Sequence, residues 1–194
     1  MPAAAASPST FELRAVVTDL DFSADHFTLF GIGRAQGIDA AALEARFLEI
    51  QAAVHPDKHA NGSDATQRQA MQWATRVNEA YQTLKSPLAR ARYLLQLLGH
   101  DAQVESNTAM PMEFLVAQME LREAVADAKA CSDDTVLDEL RRTLVAEMKA
   151  EYLSLQDMID LRQDYAAATG LVRQLMFQEK LLHEIDDALE AVFA

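Results

Sequence analysis

An all-α protein is what this sequence predicts, and three observations carry that expectation. Six glycines and five prolines in 194 residues are about half the usual share of about 12%. Ala and Leu are in excess, which suits long helices joined by few loops. Apolar residues make up 50% of the chain, and over long stretches they recur at steps of three and four, the spacing of one helix face. A many-stranded sandwich or barrel needs frequent Gly- or Pro-rich turns, which this chain lacks. The expected architecture has two compact parts. An antiparallel helical hairpin with short flanking helices occupies residues 25–99, and a three-helix bundle occupies residues 111–194.

The first element is the short apolar run DHFTLFGI, ended by Gly31, Gly33 and Gly37. Asp39 then offers a carboxylate to the unsatisfied amides of a helix start. Leu43, Phe47, Ile50 and Val54 follow at i, i+4, i+7 and i+11, on one helix face. That helix must stop at His55, because Pro56 disfavours helical geometry in the residue before it. HPDKHANGSDA is loop chemistry, and a second helix is expected over about 65–84 with Trp73, Val77, Ala80 and Leu84 inward. Two such helices joined by a loop pack as an antiparallel hairpin. Ser86-Pro87 starts another helix, with Ser as cap and Pro in the first turn. Leu88, Ala91, Leu95 and Leu98 are its expected buried stripe, and Gly99 ends it.

Residues 100–110 are polar and aperiodic, and read as a linker. Three helices are expected beyond it, over about 111–130, 134–159 and 161–192. The middle one carries Leu137, Leu140, Leu144, Met148, Tyr152 and Leu155 at steps of three and four. The last carries Leu171, Leu175, Gln178, Leu182, Ile185 and Leu189. Three amphipathic helices with short turns make an antiparallel bundle.

Charge narrows the partners. Seventeen Lys and Arg against 30 Asp and Glu leave a net charge of −13. Phosphate backbones and anionic lipid repel such a chain, so neither nucleic acid nor membrane is an expected partner. No apolar run approaches the roughly 18 residues of a membrane helix. The single cysteine, Cys131, rules out an internal disulfide and a Cys-based zinc site. Residues 1–24 lack the basic start and apolar core of a secretory signal and carry mostly acidic charge. A flexible extension, with a short helix near residues 11–17, and a cytoplasmic location are expected.

Two places could carry function. His55-Pro56-Asp57-Lys58 stands at the tip of the expected hairpin. Pro56 fixes its own φ and stiffens the run, so the constellation loses little entropy when it docks on a partner. The bland alternative is a simple turn, since Pro and Asp are common turn formers. The second place is the helix over 111–130. Stepped at about 100° per residue, Phe114, Ala117, Leu121, Ala124, Val125 and Ala128 share a core arc. Leu115 and Met119 lie outside it, and Val116 lies further round beside Glu120, Glu123 and Asp127. Phe177 likewise points off the stripe of the final helix. Apolar groups edged by charge suit a docking surface; the alternative is that a small bundle buries more than one face.

At these residues the sequence resembles a known family. A His-Pro-Asp turn between two helices, after DHFTLFGI and before Val77-Asn78-Glu79-Ala80-Tyr81, is similar to a J-domain. More narrowly, FTLFG (27–31), RFLEIQAAVHPDKHANG (46–62), SPLARARYLL (86–95) and MEFLVAQMELREAV (112–125) resemble HscB, the J-domain co-chaperone family of iron–sulfur cluster assembly. That resemblance implies that His55, Pro56 and Asp57 engage a DnaK-class ATPase chaperone, HscA, and promote its ATP hydrolysis. Lys58 and Arg46 would assist by charge. Ala52, Ala53 and Val54 stand where relatives often carry a basic or aromatic residue. It also implies that Leu115, Val116, Met119, Glu120, Arg122, Glu123 and Phe177 bind the cluster scaffold IscU. No cofactor and no catalysis by the chain itself are implied. With no cysteine in its N-terminal part, the chain resembles the bacterial form.

Rival readings remain at this level. One is a J-domain protein serving another client. Another is a metal-dependent helical hydrolase using His55, Asp57 and His59, although Pro56 and the breakers after it spoil the helix that would pair the two histidines. Cys131 lacks an identifiable His partner. His26, His100 and His183 read as surface or packing residues. Met71, Met110, Met112, Met119, Met148, Met158 and Met176 mostly fall on helical stripes and read as core filler.

Overall fold

The computed structural model describes residues 23–55, Lys58, 63–100 and 110–193. The expected helix near 11–17, and all but the ends of the expected extension and linker, lie outside them. Every regular element among the described residues is a helix, with no strand among them. Contacts divide the chain between Ala89 and Arg90, some ten residues before the segment expected to be the linker.

The first unit opens with a short helix, α1 (His26–Leu29). Asp25 caps it, with Oδ1 accepting from the amides of Phe27 at 2.9 Å and Thr28 at 3.1 Å. Oδ2 accepts from the Thr28 hydroxyl and from Arg34 Nη2, at 2.7 and 2.8 Å. Burial would raise this carboxyl, but the hydrogen bonds from Arg34 and Thr28 outweigh it and hold the pKa down at about 2. Gly31, at φ +65°, turns the chain out of α1 in a conformation that a side chain resists.

The hairpin consists of α2 (Ala40–Val54) and α3 (Asp64–Lys85). Asp39 caps α2 through the amides of Ala41 and Ala42, as its place in the sequence requires. Leu43, Ile50 and Val54 from α2 are buried, as are Trp73, Val77, Ala80 and Leu84 from α3. Each such large side chain is worth about 1.5–3 kcal/mol of burial. Phe47 is half-buried and stacks on Tyr81, ring centres 4.0 Å apart. Phe27 and Phe30 are fully buried, and Arg76 ties the chain entering α1 through the carbonyl of Ala24.

Helix α4 (Pro87–Leu97) is capped by Ser86, whose Oγ accepts from the amide of Ala89. Leu88, Ala91 and Leu95 are buried as expected, and so is Leu94. Leu98 is 38% exposed, against expectation. The helix has already ended: Gly99 takes φ +82° and the His100 amide closes on Leu95 O at 2.8 Å. Beyond that point helical periodicity no longer directs a side chain inward.

In the second unit α5 (Met112–Ala130), α6 (Asp134–Gln156) and α7 (Tyr165–Phe193) pack on one another pairwise. The expected third helix begins four residues late. Residues Asp157–Arg162 form a π-helical turn that continues α6. Gln163 ends it in the left-handed region at φ 54°, and Asp164 caps α7 through the amide of Ala167. The wider turn keeps Ile159 buried while Leu161 stands 77% exposed.

Three expectations about the bundle core need correction. On α5, Ala117 is exposed and Gln118 is buried in its place. That helix has apolar residues on most sides, so its pattern alone does not fix its rotation. On α7 the buried residues are Ala168, Val172, Leu175, Gln178, Leu181, Ile185 and Ala188, whereas Leu171, Leu182 and Leu189 are half-buried. The buried face swings round this 29-residue helix along its length, because α7 packs on α5, on α6 and on the π turn. Finally, the methionines are mostly not core. Met148 is buried, but Met71, Met112 and Met119 are 60%, 73% and 63% exposed, and Met110, Met158 and Met176 are half-buried.

Candidate binding surfaces

The hairpin tip is built by an abrupt change of environment. Val54 is buried at the end of α2, and the next residue, His55, is exposed. His55 leaves the helix at φ −58°, ψ 128°, the extended geometry that a following proline imposes. Pro56 and Asp57 lie outside the described residues, as does His59. Their flanks are described: the Lys58 amide donates to His55 O at 3.0 Å. That bond runs from residue i+3 back to residue i. Lys58 is exposed.

Arg46 stands two turns before the tip. Its Nη1 pairs with Glu49 Oε2 at 2.8 Å, and its Nε donates to Phe30 O at 3.4 Å. The guanidinium is therefore engaged within its own unit and only partly offered outward. Among the described residues no group of His, Cys, Asp and Glu side chains is arranged to hold a metal ion. No described helix is long and apolar enough to cross a membrane.

The second surface lies on α5. Val116 is 45% exposed and Met119 63% exposed, with Glu120 and Glu123 exposed beside them and Leu115 half-buried. Arg122 is tied across to α7, its Nε to Glu184 Oε2 at 3.0 Å, with Nη1 reaching Gln118 O at 3.4 Å. Phe177 is half-buried on α7 and meets Phe114 of α5 edge-on, ring centres 6.4 Å apart. The structure thus joins Phe177 to the root of the α5 face through Phe114. Sequence reasoning put Phe114 in the core and Phe177 outside it, and did not pair them.

One exposed residue of this helix was read as filler. Met112 precedes Val116 by four residues and Met119 by seven, so the spacing itself was the available signal.

Behind this face the bundle interior carries polar groups. Gln178 Nε2 donates to Glu151 Oε1 at 3.1 Å. Glu151 Oε2, Gln178 Oε1 and Gln118 Oε1 are buried without a hydrogen-bond partner among the described residues. Burial, reinforced by the like charge of Glu147, raises the Glu151 carboxyl despite the hydrogen bond from Gln178.

Residues 110–186 match the family model described as the HSCB C-terminal oligomerisation domain. The co-chaperone protein HscB homolog of Azoarcus sp. (strain BH72) is 49% identical over 173 residues, covering 89% of this chain and 98% of that relative. The HscB homolog of Chromobacterium violaceum is 53% identical over 172 residues, 89% of this chain and 97% of that one. Among solved structures, chaperone HscB from Vibrio cholerae superposes with a TM-score of 0.76 at 32% identity, covering 87% of this chain and 99% of its own.

Proposed function

The chain belongs to the HscB family of co-chaperones, and from that premise we propose that it serves iron–sulfur protein maturation as a two-handed adaptor. A J-domain over residues 25–99 docks on a DnaK-class ATPase chaperone, HscA, through His55, Pro56, Asp57 and Lys58, with Arg46 assisting. The bundle over 111–194 holds the cluster scaffold IscU through Leu115, Val116, Met119, Glu120, Arg122, Glu123 and Phe177. Segment 100–110 links the two, and the work is done in the cytoplasm. The adaptor makes and breaks no bonds of substrate itself.

The mechanism is one of population and proximity. Docking of the tip on the chaperone favours its hydrolysis-competent state only by as much as the tip binds that state more tightly. Holding the scaffold on the same chain raises its effective concentration at the chaperone. Arg46 can contribute charge to the chaperone only in competition with Glu49, which holds its Nη1 at 2.8 Å.

The observation that carries this reading is the exposed His55 standing beside buried Val54, with the Lys58 amide bonded back to the His55 carbonyl. The experiment is an ATPase assay on the partner chaperone, with and without scaffold. The parent chain should accelerate hydrolysis and the His55→Gln variant should not. Equal acceleration by both would remove the tip from the mechanism.

A further inference from the structure

We propose that the docking face of α5 begins one helical turn before Leu115, at Met112, and that it accepts a protein surface whose apolar ridge is edged by basic side chains. The inference rests on the scaffold-binding role proposed above for α5 and gives that face its extent and its electrostatic logic.

Met112, Val116 and Met119 are 73%, 45% and 63% exposed. At about 100° per residue they fall within an arc of about 60°, so they form one stripe rather than three separate exposures. Helix α6 is different. Its exposed Val136, Val145 and Leu153 point at least about 80° apart at the same step, and single scattered apolar residues are ordinary surface. Two of the three stripe residues on α5 are methionines, whose unbranched thioether chains adapt to an irregular partner. Pro111 leads directly into Met112 at φ −55°, and the ring-locked backbone reduces the freedom lost when this end docks.

Charge then selects the partner. Glu113, Glu120 and Asp127 are exposed and seven residues apart, so they run as one acidic row along the Val116 side of the stripe, and exposed Glu123 follows in line with the stripe itself, one turn beyond Met119. Attraction to the helix dipole accounts for an acid in the first turn, which is Glu113 alone. It does not account for Glu120 or Asp127, which lie two and four turns further on. On the other side Arg122 is held by Glu184 at 3.0 Å, and exposed Lys129 stands only in the last turn, at the end remote from Met112. An apolar stripe with an acidic border complements an apolar ridge with a basic border, and such matching sets orientation and association rate.

The test measures scaffold binding to the full-length chain by titration and stopped flow, using purified scaffold protein at two salt concentrations. Met112→Ala should weaken binding about fivefold. Glu113→Gln combined with Asp127→Asn should slow association and flatten its salt dependence. Unchanged far-UV dichroism and melting temperature would show that neither variant acts through folding. If these variants bind as the parent does while Val116→Ala binds weakly, the extension is wrong and the shorter face stands. If Val116→Ala also binds normally, the scaffold-binding reading falls together with the extension. If Met112→Ala changes only the sedimentation of the chain by itself, Met112 serves a second copy and the proposal is overturned.

Discussion

Phe177 of α7 and Phe114 of α5 meet edge to face, their planes at 89° and their ring centres 6.4 Å apart. Such pairs contribute about 0.5–1.5 kcal/mol beyond their burial. This one also fixes how the outer face of α5 is carried on the bundle. Phe177 therefore has two roles to separate, as a strut under the face and as part of it. In the double variant Leu115→Ala, Phe177→Ala, scaffold affinity should fall about tenfold or more. Phe177→Leu should lower stability by about 1 kcal/mol through loss of the edge contact, read by urea melts. Affinity unchanged in the double variant would refute the surface assignment.

At the hairpin tip, Asp57→Asn and His55→Gln should each abolish stimulation of the partner chaperone's ATPase while leaving the melting temperature within a degree or so. His55 is exposed, and exposed substitutions away from caps and cores usually shift stability by less than about 0.5 kcal/mol. Normal stimulation by either variant contradicts the docking role.

Arg46 gives a sharper prediction, because Glu49 competes for it. Glu49→Gln frees the guanidinium and should strengthen chaperone docking by about twofold at low salt. The exposed pair it removes is itself worth only about 0–1 kcal/mol. A Kd unchanged across a salt series would leave Arg46 as a purely local residue bridging Glu49 and Phe30 O.

The Glu151 carboxyl is raised chiefly by burial, so the folded state favours its neutral form. Its contribution is favourable at low pH and is lost as pH rises through its folded pKa. Glu151→Gln keeps an acceptor for Gln178 and removes the charge. At neutral pH it should raise Tm, and the gain should vanish on acidification. A lower Tm in the variant at pH 7 would show that the carboxylate is stabilising there.

Asp25 titrates in the opposite sense. Its carboxyl is held at about 2 in the folded chain, below the ordinary carboxylate value of about 3.9. The stability it supplies is complete above the unfolded pKa and is lost as pH falls from about 4 through about 2. Arg34→Ala should weaken this acid dependence. Acid melts superimposable on those of the parent would show that the Arg34 contact, at 2.8 Å, is not what holds the carboxyl down.

Much of the fold was legible because it rests on local rules. Asp39 caps where a carboxylate meets free amides, and α2 stops where Pro56 forbids it to continue. Leu43, Ile50 and Val54 face inward by spacing alone. The functional surfaces were legible in part. The exposure of Val116 and Met119 followed from their angle off the core arc, and His55 from its place at a helix end. Met112 was missed because a methionine on a stripe reads as core unless the partner helix is known. Phe114 was paired with nothing, because an edge contact between residues 63 positions apart on different helices has no trace in local spacing.

The sequence by itself determined what depends on neighbours along the chain: an all-α fold, the capped starts of helices such as α2, the helical hairpin, and a family kinship carried by contiguous motifs. Only the tertiary structure decided rotations and tie-points. It buried Gln118 in place of Ala117, swung the buried face of α7, turned residues 157–162 into a π-helical step, and bound Arg122 to Glu184 and Arg46 to Glu49. The reason is physical. Periodicity says that a helix has an inside, but when apolar residues ring most of its circumference, the choice of inside belongs to the helices that pack against it.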